Sequence, residues 1–266
     1  MKFLIIGGDS EIGRELEKYL LDINHTVYST TKRPYTENKI FYDLLDPINI
    51  EHPEVDVAFI CAAITGYDKC DADFGLAKEI NVNCTTELCS KLIRNNIKVV
   101  YLSTNAVLET PLSIYGYTKA RAEKNILELS NDSIIVRTTK VLTKGFPLFY
   151  NWYKDLVRHE PIKALADLYF CPVYIDYLIK SILLILDKKE KGIFQISSYP
   201  SISYYEAAQH MANTMPRSQN LIMRQTNPCL SEQETAIMNT DRFEKLTELP
   251  APSPFVMINE WIKAQK

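Results

Sequence analysis

Apolar and polar positions along the first 140 residues fall into alternating blocks with two different periods. Short apolar, β-branched runs at 3–6, 26–29, 39–42, 55–63, 99–103 and 134–137 have the length and content of strands. Between several of them, 12–21, 77–94 and 117–129 carry apolar residues at helical spacing. Strands taking turns with helices predict parallel strands joined by right-handed crossovers. The expected fold class is therefore α/β, a Rossmann-type doubly wound parallel sheet. The run Val55-Asp56-Val57-Ala58-Phe59-Ile60-Cys61-Ala62-Ala63 is almost continuously apolar, as a strand covered on both faces should be.

After Arg137 the rhythm loosens. Residues 145–171 are rich in aromatics (Phe146, Phe149, Tyr150, Trp152, Tyr153, Tyr169, Phe170). A helix is predicted at 174–187, a strand at 193–197, a helix at 204–215 and a last helix at 255–266, after Pro250, Pro252 and Pro254. The expected division is a nucleotide-binding core at 1–142, completed by about 172–197, and a small C-terminal substrate-binding lobe at 143–171 and 198–266. Open α/β sheets bind ligands outside the carboxyl ends of their strands, so the cleft is expected between these parts.

Composition narrows the function classes. A chain of 266 residues corresponds to roughly 1.8 domains at ~150 residues each. With 46% hydrophobic and 24% charged residues it has ample material for a core. The net charge of −3 does not suit a nucleic-acid coat. Lys180 interrupts the longest apolar run, at 175–186, so no membrane span is expected. Met1-Lys2-Phe3-Leu4-Ile5-Ile6-Gly7 reaches glycine too soon for a signal peptide, so the expected location is the cytoplasm. The six cysteines (Cys61, Cys70, Cys84, Cys89, Cys171, Cys229) form no C-x-x-C pair and the four histidines are scattered, so reduced thiols and no metal site are expected.

Gly7-Gly8-Asp9-Ser10-Glu11-Ile12-Gly13 follows the first strand and opens the first helix. Glycine permits the tight turn, the helix N-terminus offers free N–H groups to a diphosphate, and Gly13 allows close helix–strand packing. Ser10 stands at the middle glycine of the dinucleotide fingerprint, with a hydroxyl able to reach phosphate. The second strand runs into Thr30-Thr31-Lys32-Arg33, without the acid that usually accepts from an NAD ribose. Thr31, Lys32 and Arg33 suit a 2′-phosphate, which makes NADP(H) the expected cofactor and NAD(H) the alternative. The same cations also read as a solvated basic turn.

Tyr115-Gly116-Tyr117-Thr118-Lys119 contains Tyr-x-x-x-Lys, which puts both side chains on one helix face. Among sixteen tyrosines the spacing recurs at Tyr28/Lys32, Tyr35/Lys39 and Tyr150/Lys154, so spacing alone decides nothing. Tyr115 differs in beginning a helical stretch shortly after a strand that ends in Ser103 and Thr104.

With these motifs in order, the chain resembles the extended short-chain dehydrogenase/reductase superfamily, and within it the dTDP-4-dehydrorhamnose reductase-like branch. The resemblance takes in the glycine turn, Asp43-Leu44-Leu45-Asp46, Cys61-Ala62-Ala63, Asn81-Val82-Asn83, Ser103-Thr104-Asn105-Ala106-Val107 and the Tyr115–Lys119 motif. It continues through Arg137-Thr138-Thr139 and Cys171-Pro172-Val173-Tyr174-Ile175-Asp176. It implies Tyr115 as general acid, Lys119 as its activator and a ribose ligand, Thr104 as a donor to the substrate carbonyl, and Asn81 as holder of a relay water. It further implies that Gly7, Asp9, Ser10, Glu11, Ile12, Gly13, Thr31, Lys32, Arg33, Asp43, Leu44, Cys61, Ala62, Ala63, Tyr115 and Lys119 line the cofactor.

A free tyrosine titrates near 10, and a cation ~4 Å away at an effective dielectric of ~20 is worth about 4 kcal/mol, so Lys119 and the oxidised nicotinamide are together expected to draw Tyr115 toward neutral pH. Related dehydratases carry Asp-Glu after the threonine, where this chain has Asn105 and Ala106. Only ten residues separate Thr104 from Tyr115, fewer than related reductases carry, and Lys140 stands where they have tryptophan. The resemblance therefore implies an NADPH-dependent reductase of a keto group on a nucleotide-activated deoxysugar, for polysaccharide or glycan precursors. The alternatives are an NAD(P)-dependent sugar-nucleotide epimerase and a non-catalytic NADP-binding regulatory protein. It also implies a homodimer through the helices at 77–94 and 117–129.

Overall fold

A computed structural model describes residues 1–34, 36–47, 50–227 and 238–265. Tyr35, Cys229 and the last residue of the expected final helix, Lys266, lie outside the described residues. The chain runs β1 (Lys2–Ile6), α1 (Glu11–Asp22), β2 (Thr26–Thr31), β3 (Ile40–Phe41), β4 (Val57–Ile60), α2 (Tyr67–Ala72) and α3 (Phe74–Lys78). A π-helical segment (Glu79–Cys84) leads into α4 (Thr85–Arg94), then β5 (Lys98–Thr104), a 3-10 turn (Asn105–Leu108), α5 (Ile114–Leu129) and β6 (Ile134–Thr138). Next come β7 (Val141–Leu142), α6 (Pro147–Val157), β8 (Ile162–Leu165), β9 (Tyr169–Phe170), β10 (Val173–Tyr174) and α7 (Ile175–Asp187). The chain closes with β11 (Gly192–Ile196), β12 (Ile202–Ser203), α8 (Tyr204–Asn213), β13 (Ile222–Gln225), α9 (Asp241–Thr247) and α10 (Pro254–Lys263).

Seven strands form one sheet in the order β11-β6-β5-β4-β1-β2-β3, and every pairing from β6 to β3 is parallel. This is the expected doubly wound sheet. Strand order reverses between β1 and β4, the place where open sheets of this kind form their ligand crevice. One face buries Leu4, Ile6, Ala58, Ile60, Val99, Tyr101 and Ile135 against Leu88, Cys89 and Leu92 of α4 and Ala122 and Ile126 of α5. Residues of the opposite parity, Phe3, Ile5, Phe59 and Val100, are equally buried, so both faces are covered.

Several expected elements are reshaped. Within the run at 55–63 only Val57–Ile60 is strand; the Cys61 and Ala62 amides both donate to the Ile6 carbonyl at 2.9 Å, and Cys61, Ala62 and Ala63 begin the loop beyond the strand end. The helix predicted at 77–94 is three pieces, with Asn81 and Asn83 in the π-helical segment. The strand predicted at 39–42 contracts to Ile40–Phe41. The helix predicted from 117 starts at Ile114, because Ser113 accepts from the Gly116 amide at 3.0 Å and caps it, which moves Tyr115 onto the first turn.

By contacts the chain groups into two compact units, Met1–Thr138 with Ile179–Gln195, and Thr139–Leu178 with Ile196–Lys266. In the second unit the aromatics form a cluster: Phe149 stacks on Trp152 (5.5 Å) and meets Trp261 edge-on (5.5 Å), while Phe170 stacks on Tyr204 (4.2 Å). Trp261 Nε1 donates to the Thr143 carbonyl at 2.7 Å, so the indole is buried without an orphan donor. No helix among the described residues is long and apolar enough to cross a membrane, and no group of three metal-ligating side chains is found among them.

Candidate active site

The glycine turn sits at the carboxyl end of β1. Gly7 has φ +89, and a Cβ there would lie 2.7 Å from the Ala62 amide nitrogen. Only glycine permits both that backbone conformation and that approach of the β1 and β4 loops. A Cβ on Gly13 would lie 2.3 Å from the Gly7 carbonyl oxygen, so α1 presses directly on the turn. Ser10 does something other than the sequence suggested. Its hydroxyl donates to the Gly7 carbonyl at 2.8 Å and accepts from the Gly13 amide at 3.0 Å, so it is spent on capping α1 rather than held out for a phosphate. The amides of Glu11 and Ile12 open the helix and have no carbonyl of their own helix to reach. Backbone donors, a helix N-terminus and a turn that opens on two glycines fit the diphosphate of a dinucleotide.

The charges near the end of β2 are already engaged with one another. Asp9 accepts from Thr31 Oγ1 at 2.5 Å on Oδ2 and from Lys39 Nζ at 3.2 Å on Oδ1, and Arg33 Nε lies 3.9 Å from the oxygen that Thr31 holds. The Thr31 bond, followed by Lys39, holds the Asp9 carboxyl below its ordinary range against the opposing effect of burial. Lys32 pairs with Asp43 at 3.0 Å, and the Leu45 amide donates to the same oxygen at 3.0 Å. Burial works against ionising Asp43, yet these donors keep its carboxyl low. Lys39, absent from the expected set, also donates to the Gly8 carbonyl at 3.0 Å and pairs with Glu17 at 3.4 Å. Leu44 is buried in the core. Thr31, Lys32 and Arg33 are thus gathered beside the glycine turn, each with a partner inside the chain.

Thr104 ends β5, and its hydroxyl accepts from the Ala106 amide at 3.2 Å, capping the 3-10 turn. A Cβ on Gly116 would fall 2.3 Å from the Ala106 carbonyl oxygen, so α5 rests on that turn only because position 116 is glycine. This contact sets Tyr115 near Thr104, whose hydroxyl favours the ionised phenol and so opposes the effect of burial. Gly116 is a site-building residue that sequence reasoning missed; the signal was a glycine between two tyrosines of the motif.

Lys119 is 3% exposed. Its Nζ donates to the Leu102 carbonyl at 2.7 Å and lies 3.9 Å over the Tyr101 ring. Burial pulls it down to about 7, partly opposed by the negative charge of Glu123 one helical turn on. Burial pushes the Tyr115 phenol up to about 12, with Thr104 pulling the other way, and Lys119 is not among the groups that shift it. The Lys119 ammonium is turned to the Leu102 carbonyl and the Tyr101 ring, and burial sets the direction in which the Tyr115 phenol is shifted.

Asn81 is fully buried, and its side-chain amide accepts from the Ile64 amide (2.8 Å) and donates to the Ile64 carbonyl (2.9 Å) and Thr118 Oγ1 (3.2 Å). It ties the loop after β4 to α5, so its side chain positions Thr118, whose hydroxyl donates to the Tyr115 carbonyl at 3.0 Å. Cys61 and its neighbours Ala62 and Ala63 begin that loop, and burial pushes the Cys61 thiol up to about 12, which keeps it protonated. Below the site, Arg137 grips Glu123 through Nε at 3.0 Å and Nη2 at 2.6 Å, and Ser103 donates to the same carboxylate.

Lys119 carries a pH signature. The unfolded lysine titrates at 10.5 and the folded one at about 7, so between those values the unfolded chain binds more protons and stability rises with pH. Below about 7 the full cost of charging the buried amine is present, at most about 5 kcal/mol from the shift. Lys119→Met is expected to be stabilised relative to wild type near neutral pH, with the gap closing toward pH ~10. Urea midpoints at both pH values measure this, and a gap that does not change with pH would contradict it.

Comparison with known proteins finds relatives that match most of this chain. A dTDP-4-dehydrorhamnose reductase of Aggregatibacter actinomycetemcomitans is 24% identical over 230 residues, covering 78% of this chain and 76% of that protein. The spore coat polysaccharide biosynthesis protein SpsK of Bacillus subtilis is 23% identical over 98% of this chain and 90% of its own length. The crystal structure of a dTDP-4-dehydrorhamnose reductase from Bacillus anthracis, in complex with NADP, superposes with a TM-score of 0.81 at 20% identity, over 98% of this chain and 97% of that one. The model of the RmlD substrate binding domain family matches residues 1–253, from the first strand through the glycine turn and the Tyr115–Lys119 motif, and the chain belongs to that family.

Proposed function

We propose that this protein is an NADPH-dependent reductase of a keto group, at C4, on a nucleotide-activated deoxysugar destined for a polysaccharide or glycan. The observation that carries the reading is the Tyr115–Thr104 pair at the end of β5, one strand from the switch point of the sheet. When bound, the reduced nicotinamide supplies hydride to the carbonyl carbon. Tyr115, with its phenol held at about 12, keeps its proton at neutral pH and is a donor to the carbonyl oxygen. Thr104 donates beside it and polarises the same oxygen. Hydride and proton together complete the alcohol, leaving Tyr115 to recover its proton from solvent through the hydroxyls around it.

One observation favours NAD(H): Lys32, Arg33 and Lys39 are all paired with carboxylates. The magnitudes favour NADP(H). Lys32 and Arg33 are 63% and 77% exposed at the side chain, and exposed ion pairs are worth about 0–1 kcal/mol. A phosphate dianion with forked charge-assisted bonds outweighs them.

Purified protein incubated with NADPH or NADH and a panel of dTDP- and UDP-linked 4-keto sugars tests the proposal. Stoichiometric NADPH oxidation with alcohol product is expected. Sugar inversion without net oxidation would replace it with epimerisation, and no turnover with any sugar would leave a binding protein. Fluorescence titration is expected to show tighter binding of NADPH than of NADH; the reverse would move the cofactor to NAD(H).

A further inference from the structure

The loop that joins the 3-10 turn to α5 and the short helix α2 meet beside Tyr115. Tyr67 Oη donates to Glu109 Oε1 at 2.5 Å, and Ser113 Oγ donates to Glu109 Oε2 at 2.9 Å. The Tyr67 ring stands edge-on to the Tyr115 ring, with centroids 6.1 Å apart and planes at 79°. Tyr67 remains 47% exposed, so the ring packed against Tyr115 borders solvent. Among the described residues no lysine or arginine forms an ion pair with Glu109. Its charge is therefore balanced only by two hydroxyl dipoles. Each oxygen holds one donor, and a carboxylate offers about four acceptor positions, so capacity is left for a hydroxyl of a ligand.

The proton-donating phenol thus lies beside a fixed, uncompensated negative charge. Arriving groups that donate hydrogen bonds are welcome there, and arriving anions are opposed, which is discrimination by an unfavourable contact as much as by a favourable one.

We propose that Glu109, held in place by Tyr67 and Ser113, is a specificity-determining residue that admits sugars bearing hydroxyl or methyl groups beside the reacting carbon and rejects sugars bearing a carboxylate there. The proposal rests on the reading that Tyr115 meets the sugar of a nucleotide sugar, but it concerns binding and not turnover.

The test is calorimetric titration of the full chain, saturated with NADP⁺, using dTDP-glucose, dTDP-glucuronic acid and their UDP counterparts. Wild type is expected to bind the neutral sugars at least tenfold more tightly than the acidic ones. Glu109→Gln is expected to bring the two within about threefold, mainly through tighter binding of the glucuronates. Glu109→Asp, which keeps the charge, and Tyr67→Phe, which keeps the ring and the carboxylate, are expected to retain most of the preference. An unchanged ratio in Glu109→Gln, or a uniform loss for both sugars as a folding defect would produce, overturns the proposal and leaves the reductase reading standing. Wild type that binds both sugars alike does the same. Wild type that binds none of the four overturns both. Binding with the expected ratio but without reduction of any keto sugar overturns the reductase alone.

Discussion

Tyr115→Phe is expected to lower NADPH-coupled carbonyl reduction by roughly 10²- to 10⁴-fold, the usual contribution of a positioned general acid. The change removes one oxygen from a ring that otherwise stays packed edge-on against Tyr67. The glycine turn and α1 are untouched, so the affinity for NADPH is expected to stay within about twofold, by fluorescence titration. A loss confined to kcat identifies a group that acts in the transition state, whereas a matched rise in KM would point to binding. Turnover near the wild-type rate would remove Tyr115 from the chemistry. The pH dependence carries the same information. With the phenol held at about 12, the alkaline limb that its deprotonation produces lies well above neutrality, so wild-type kcat is expected not to fall through loss of the tyrosine proton up to pH ~9.

The largest structural effect is expected at Glu123, which carries no role in binding. Its carboxylate is 3% exposed and takes hydrogen bonds from Ser103 and a forked pair from Arg137. It also supplies the nearest compensating charge to the buried Lys119. Glu123→Leu leaves the Arg137 guanidinium, only 18% exposed, without its partner. Breaking a buried pair from one side costs about 3–5 kcal/mol, at least about a fifth of an ordinary domain's stability of ~5–15 kcal/mol. Urea denaturation measures the loss. Replacing both partners, Glu123→Leu with Arg137→Met, is expected to recover most of it, since two apolar groups strand no charge. A single variant within about 1 kcal/mol of wild type, or a double variant no better than the single, would show that the pair is not the anchor under the site.

The two expectations draw on different parts of the same region, and both show what was legible beforehand. The parallel sheet could be read because strand and helix periods differ and take turns over the first 140 residues. The glycine turn could be read because steric demands at Gly7 and Gly13 exclude other residues, and these demands act within a few positions of chain. Tyr115 stood apart from the other tyrosines spaced four residues before a lysine by its place after a strand, and the roles of Lys119 and Thr104 came with the family resemblance. The actual state of Lys119 was not legible. Whether its ammonium reaches toward the phenol or under it depends on Leu102 and Tyr101 across β5, which no local spacing encodes. Asn81 likewise has its amide committed to Ile64, seventeen residues back, and to Thr118 on α5. The Tyr67–Glu109 contact joins residues 42 apart and left no pattern at all in the chain.

Patterning by itself determined the class of the fold, the turn that suits a diphosphate and the residue types at the head of α5. These follow from short-range sterics and from which positions must be dry. Tertiary structure alone decided which hydroxyls and charges remain to meet a ligand. Ser10 is used up as a cap, and the cations at 32, 33 and 39 arrive with carboxylates already beside them. Glu109 remains without a counter-cation among the described residues. The physical reason is that hydrogen bonds and ion pairs are competitions among groups brought together from distant positions, and their outcome is set only when the sheet has closed the distances between them.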